Sequence, residues 1–274
     1  MKEEIQIESH YHAEERLDAV DISKAPGHWI LARMGKRVLR PGGRELTEKL
    51  VSALKINPED DVVEFAPGLG FTANLVLQYK PHSYVGLERD ESAAAETRQL
   101  LNGSSQRVQL GDAANSGLED ECATVVYGEA MLTMQSDPHK KRIVNEAVRL
   151  LKSGGRYGIH ELCLKPDNIS DESKKEIQYE LAQAIRVNAR PLTIDEWKSL
   201  FQEAGMKVEV VHTNPMHLLK PARMIADEGL WRTLRIAFNI VSNPSARKRV
   251  MQMREVFNRY ASNLGAIAIV AVKP

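Results

Sequence analysis

From residue 44 onward, the apolar residues come in two alternating rhythms. Leu46, Leu50, Val51 and Leu54 recur at helical spacing, which predicts a helix over Arg44–Lys55, and Pro58 stops it. The short apolar run "DVVEF" then reads as a buried strand, and Thr72–Tyr79 as the next helix. "SYVGLE", a helix over Ser92–Leu101, "RVQLGD" and "ATVVYG" continue the alternation. Asp137-Pro138 opens a helix to Leu151 that Ser153-Gly154-Gly155 is expected to close, and "RYGIHELCL" is the fifth strand. "KVEVVHT" and "AIAIVAV" form a closing pair. Strands that alternate with helices predict an α/β fold with helices on both faces of a mostly parallel sheet.

Three regions interrupt this rhythm. Residues 1–43 precede the first sheet strand and are expected to form an N-terminal helical cap on a 44–274 domain. Helical insertions are expected at about 165–204 and 215–263. In open α/β sheets ligands lie at the carboxyl ends of the strands, so helices added near that edge are natural lids, and substrate selection is assigned to them.

Composition narrows the classes of function. Lys plus Arg equals Asp plus Glu at 37 each, so no global field draws the chain to nucleic acid, and only 5% of residues are aromatic, too few for a base-stacking surface. Two cysteines cannot build a metal cluster between them, and no metal is expected. The acidic N-terminus lacks the apolar centre of a signal peptide, and no apolar run is long enough to span a bilayer. A reduced, cytoplasmic protein is the simplest reading.

The chemistry gathers at strand ends. In "VVEFAPGLG", Gly68 and Gly70 allow a tight turn and close approach to a ligand. Glu88, about twenty residues beyond at the end of the second strand, suits a ribose diol. Asp112, at the end of the third, suits an adenine amino group, and Glu64 adds an acid before the corner. Three acids and no basic residue in the loop repel a pyrophosphate and favour a cationic ligand. "GLGFTA" on its own also fits a dinucleotide-binding pattern, which keeps a nicotinamide-dependent oxidoreductase as the alternative.

Taken in order, "VVEFAPGLG", "VGLERD", "LGDAA", "ATVVYGEAMLTM" and "LLKSGGRYGIHEL" resemble the class I S-adenosylmethionine-dependent methyltransferases over residues 44–214 and the last strand. The resemblance implies a Rossmann-like sheet of seven strands with the last antiparallel, and S-adenosylmethionine as cofactor. It implies that Glu64, Ala66, Gly68, Gly70, Glu88, Arg89, Asp112, Ala113 and Glu129 border that cofactor, with Ala66-Pro67 standing where the family more usually has small glycine-rich residues. Because a sulfonium methyl is already activated, positioning does most of the work, and a base is needed only when the acceptor must lose a proton. Glu129 and His160 are the candidates for that acceptor-side role, with Glu161 beside them.

The acceptor is narrowed mainly by exclusion. "YGEAMLTM" stands where amino-group methyltransferases resemble one another in an Asn/Asp-Pro-Pro-aromatic turn, so that class is set aside. The chain looks most similar to the small-molecule branch that includes ubiquinone and menaquinone methyltransferases, which implies an apolar or amphiphilic acceptor methylated on oxygen, nitrogen, sulfur or carbon. A non-catalytic S-adenosylmethionine-binding protein is a further alternative. Residues 220–260 hold nine Lys or Arg against three acids around the amphipathic "GLWRTLRIAFNIV". Such a segment suits a lid or peripheral membrane contact, and the acidic first thirty residues offset it within the chain or across a homodimer.

Overall fold

The protein is described from a computed structural model, which defines residue 22 and residues 25–274. The remaining residues of the expected N-terminal cap lie outside the described part. The elements in order are α1 (Gly27–Arg33), α2 (Gly43–Leu54), β1 (Asp61–Phe65), α3 (Phe71–Leu77), β2 (Ser83–Glu88), α4 (Glu91–Arg98), β3 (Gln106–Leu110) and β4 (Ala123–Glu129). After a 3-10 turn at Leu132–Met134 come α5 (Asp137–Leu150), β5 (Leu151–Leu164), α6 (Asp171–Ile185), β6 (Leu192–Thr193), α7 (Ile194–Glu203) and β7 (Lys207–Pro215). Helices α8 (Pro221–Glu228), α9 (Leu230–Ser242) and α10 (Pro244–Arg259) precede β8 (Leu264–Val272).

Seven strands run in the order β3-β2-β1-β4-β5-β8-β7, and the two-residue β6 pairs with β5. All pairings through β6 are parallel, whereas β8 is antiparallel to both β5 and β7. The chain order reverses between β1 and β4, which creates a crevice at the carboxyl ends of those two strands. β6 is too short to carry a hydrophobic period and was not foreseen. Ser153-Gly154-Gly155 also differs from expectation: α5 passes directly into β5, and Lys152–Gly155 bulge from the ladder between the Ala123–Leu151 and Val125–Arg156 pairs.

Side-chain alternation distributes the core over both faces of the sheet. Val63, Phe65 and Val126 pack with Ile143 and Val144 of α5 and Trp197 of α7, while Val62, Tyr84 and Tyr127 pack with Leu46 and Leu50 of α2. A Thr193/Glu196 capping box starts α7, and Trp197 donates to the Leu162 carbonyl at 3.1 Å, tying that helix to β5. A third cluster lies beyond the strand ends, where α1, α6, α8, α9 and α10 join around Leu181, Ile236 and Met253 and meet the sheet at Leu162, Leu164 and Leu264. Helices α6, α8, α9 and α10 of the two insertions therefore form, with α1, one cap over the carboxyl edge of β5, while α7 packs on the face of the sheet.

Buried charge fastens this cap to the segment before α2. Glu228 accepts from the Arg37 and Val38 N–H groups at 2.8 Å each, Asp227 accepts from the Arg44 N–H at 2.9 Å, and the buried Lys36 ammonium lies 3.5 Å from Glu228. Burial lowers the Lys36 pKa, against the two carboxylates.

Candidate active site

The crevice is set by the turn from β1 into α3. Ala66, Gly68 and Gly70 all have positive φ, at 54°, 59° and 73°, so three of five consecutive residues occupy the left-handed region. The two glycines serve different ends. Around Gly68 a Cβ would meet nothing within 4 Å, and Gly68 borders a cavity of about 330 Å³. At Gly70 a Cβ would lie 2.4 Å from Leu100, and Gly70 does not line the cavity. Gly70 is required for the turn and for packing against the end of α4, and of the two glycines it is Gly68 that lines the cavity.

Glu88 locks the turn from the side. One carboxylate oxygen accepts from the Gly68 N–H at 2.9 Å, and the other from the Arg89 and Asp90 N–H groups at 2.8 and 3.1 Å. A carboxylate has about four acceptor positions, so capacity remains for a further hydroxyl donor at the cavity wall, which Glu88 lines. The exposed Arg89 contributes its backbone here, and its side chain does not line the cavity.

Across the reversal point, Glu129 ends β4 beside the same cavity. Its carboxylate accepts from Arg40, from the Thr72 hydroxyl and, at 2.8 Å, from the Thr47 hydroxyl, and lies 2.7 Å from His160 Nδ1. Burial alone would raise the Glu129 carboxyl, yet the Arg40 guanidinium and the bonds from His160 and Thr72 hold it at about 2. Arg40 also lines the cavity and rests over the Phe71 ring at 5.0 Å.

His160 is placed differently from expectation. It is fully buried, Nδ1 meets Glu129, Nε2 meets the Pro41 carbonyl, and the ring does not line the cavity. With both nitrogens engaged it braces Glu129. Glu161 does line the cavity, but accepts from the N–H groups of Met131, Leu132 and Thr133 and from the Thr133 hydroxyl, fixing the turn after β4. Burial raises its pKa against those four bonds.

Glu64 also departs from expectation. It points into the sheet's α2 face, where the Tyr84 and Tyr127 hydroxyls donate to it at 2.5 and 2.6 Å, and it does not border the cavity. Burial pushes its carboxyl up to about 7, against both hydroxyls and aided by the charge of Glu129. Asp112 accepts from the Ala114 N–H at 2.9 Å and lies 3.6 Å from His139, while Ala113 is buried in the core; neither lines the cavity.

The opposite wall is shared by the cap helices, the end of β5 and the segment after β7. Leu162, Leu181, Met216, Met253 and Phe257 make it apolar, and Met131 and Met134 adjoin it. Its titratable group is His28 on α1, in ring contact with Trp29 at 5.3 Å. Burial lowers the His28 pKa, which favours the neutral imidazole. Arg40 and His28 were both missed in the sequence. Arg40 stands in "RVLRPGG", which shows only an irregular turn, and His28 in a short segment without distinctive spacing.

A glycine turn after β1, an acid closing β2 and a sheet whose last strand is antiparallel are the features expected of a class I S-adenosylmethionine-dependent methyltransferase, and the chain carries a methyltransferase domain of that fold. A family model described as a methyltransferase domain matches residues 63–159, which run from β1 into β5. The chain is 34% identical over 252 residues to an uncharacterized protein of Haemophilus influenzae, covering 90% of this chain and 98% of that one. It is 26% identical over 188 residues to O-methyltransferase 12 of Dictyostelium discoideum, covering 67% of this chain and 48% of that protein. The fold is similar to a Haemonchus contortus phosphoethanolamine N-methyltransferase solved with phosphomonomethylethanolamine and S-adenosylhomocysteine, with a TM-score of 0.66 at 13% identity, covering 90% of this chain and 57% of that one.

Proposed function

We propose that the protein methylates a small apolar or amphiphilic molecule held beneath the helical cap. The supporting observation is the continuity of one cavity from Gly68 and Glu88 to the apolar wall at Leu181, Met253 and Phe257. The open space at Gly68 and the spare acceptor capacity of Glu88 fit S-adenosylmethionine, whose sulfonium supplies an activated methyl group when bound. Glu88 would hold a ribose hydroxyl. Arg40 has guanidinium donors beyond the one used by Glu129 and would receive the carboxylate of the methionine end. Glu129 keeps Arg40 in place and adds negative charge beside the cationic cofactor.

On the acceptor side, the role first expected of His160 passes to His28. For an alcohol or amine acceptor, the neutral imidazole would be placed to take the proton that the acceptor loses on methylation. The apolar wall excludes water and aligns the acceptor, which is the main requirement when the donor is already activated.

Calorimetric titration with S-adenosylmethionine and S-adenosylhomocysteine, followed by a mass-spectrometric acceptor screen, tests this reading. Saturable binding with methylation of apolar acceptors is expected; binding of NADH in place of either ligand would overturn it. His28→Ala should lower kcat by about 10²-fold or more with little change in cofactor Kd. An unaltered pH–rate profile in that variant would remove His28 from proton transfer.

A further inference from the structure

Helix α9 packs inward through Ile236 and Ile240 together with the polar Asn239 and Arg232. Ile236 is fully buried, Asn239 donates to the Met34 carbonyl at 3.1 Å, and Arg232 donates to the Gly35 carbonyl at 3.5 Å. The outer side is apolar: Leu230, Trp231, Leu234, Phe238 and Val241 are exposed, Trp231 by 83% and Phe238 by 70%. At 3.6 residues per turn these five fall within about 100° of the helix circumference, so they make one uninterrupted stripe. Isolated exposed apolar residues are ordinary on a protein surface, but a contiguous stripe marks a contact.

The surrounding charge selects the partner. Arg235 borders the stripe, and Arg247, Lys248 and Arg254 are exposed on the adjoining α10; none of the four forms an ion pair among the described residues. Two of the three acids in residues 220–260, Asp227 and Glu228, are turned inward toward Lys36 with side chains at most 2% exposed. Among the described residues, the charge around the stripe is therefore mainly positive. Pairing of two copies through this face about a two-fold axis would set the same bases against each other. An anionic lipid surface matches both features, because headgroups neutralise the bases while the stripe enters the interface. No helix among the described residues is long and apolar enough to cross a membrane, so the contact is one of lying on the surface.

We propose that α9 is an interfacial helix that docks the protein on anionic bilayers. Asn239 and Arg232 pin it to the residues that follow α1, and Gly27, His28, Trp29 and Leu31 of α1 line the apolar part of the cavity. Docking thus sets the cavity's cap against the bilayer.

Flotation of the full-length protein with vesicles tests the surface without reading turnover, so its failure is distinguishable from failure of the methyl-transfer reading. Vesicles of phosphatidylcholine alone are compared with vesicles that also contain phosphatidylglycerol. The protein should float with the anionic vesicles at least about tenfold better, and less as salt rises. Trp231→Ser with Phe238→Ser should reduce binding by at least about tenfold while the melting curve and S-adenosylmethionine affinity stay as in the parent. Arg247→Glu with Lys248→Glu should abolish the lipid preference. Failure to float with either vesicle at low salt overturns the proposal. So does a double serine variant that floats as well as the parent, or a dimer that this variant dissociates while nothing floats.

Discussion

The two ends of the cavity are made differently. At the proposed cofactor end, backbone in left-handed conformations and carboxylates already bonded to the protein form the wall: Gly68, Glu88 and Glu129 each have fixed partners. At the acceptor end, the wall is apolar side chains from helices distant in sequence, with methionines at several positions. The first kind of wall is preorganised for one ligand, because its hydrogen bonds are set before anything binds. The second can repack around different shapes, as flexible methionine side chains do. On the proposed function, the preorganised wall would hold the cofactor and the adaptable wall the acceptor.

Arg40 lies where the two regions meet, so its replacement should have the largest effect. Arg40→Met leaves the buried Glu129 carboxylate without its guanidinium, and a loss of about 3–5 kcal/mol in stability is expected. The pH dependence gives the sign. Glu129 is held at about 2 when folded, below its ordinary value near 4.5, so its contribution is present above about pH 4.5 and lost as pH falls toward 2. In Arg40→Met the folded carboxyl rises, and acid unfolding should begin at higher pH. Melting curves between acid and neutral pH check this; an unchanged acid limb would mean that Arg40 does not set the state of Glu129.

Glu88→Ala strikes the cofactor end alone. It removes the hydroxyl acceptor and leaves three N–H groups at the turn without their partner. S-adenosylmethionine affinity should fall by more than about tenfold, with a smaller loss of stability because Arg89 and Asp90 are exposed and water can replace the carboxylate there. Calorimetry on the folded variant decides, and unchanged affinity would take Glu88 out of the site.

How much of this was legible follows from the same division. Gly68, Glu88 and Glu129 lie at or just after strand ends, where short-range pattern locates both the strand and its carboxyl edge, so they were found by reading along the chain. Arg40 meets Glu129 across 89 residues of sequence, and that approach depends on the Lys36–Asp227–Glu228 anchoring between the pre-α2 segment and α8. No local period encodes such a contact. His28 reaches the cavity only because α1 packs under α10. Spacing located Gly70 and Glu64 in the motif but could not tell which way each faces: Gly70 turns toward Leu100 and Glu64 into the sheet. The cap's helices were foreseen as insertions, whereas the exposure of the apolar stripe of α9 depended on knowing which of its sides is covered.

Glu64 gives the finest test of the comparison, since it belongs to the cofactor motif in sequence and to the sheet interior in space. Its carboxyl stands at about 7 when folded, above the ordinary value, so the native state keeps a proton that the unfolded chain releases. Stability from this group is therefore full below about pH 4.5 and is lost as pH rises through 7. Glu64→Gln keeps an oxygen for the Tyr84 and Tyr127 hydroxyls and removes the titration. The variant should match the parent near pH 5 and exceed it by about 1–2 kcal/mol near pH 8, with the difference developing as the parent titrates. S-adenosylmethionine affinity should stay within about twofold, because Glu64 does not line the cavity. Calorimetry beside melting curves at both pH values separates the two positions of this acid: weakening comparable to that of Glu88→Ala would return Glu64 to the cofactor wall, and a parallel pH dependence in parent and variant would place the titrating group elsewhere.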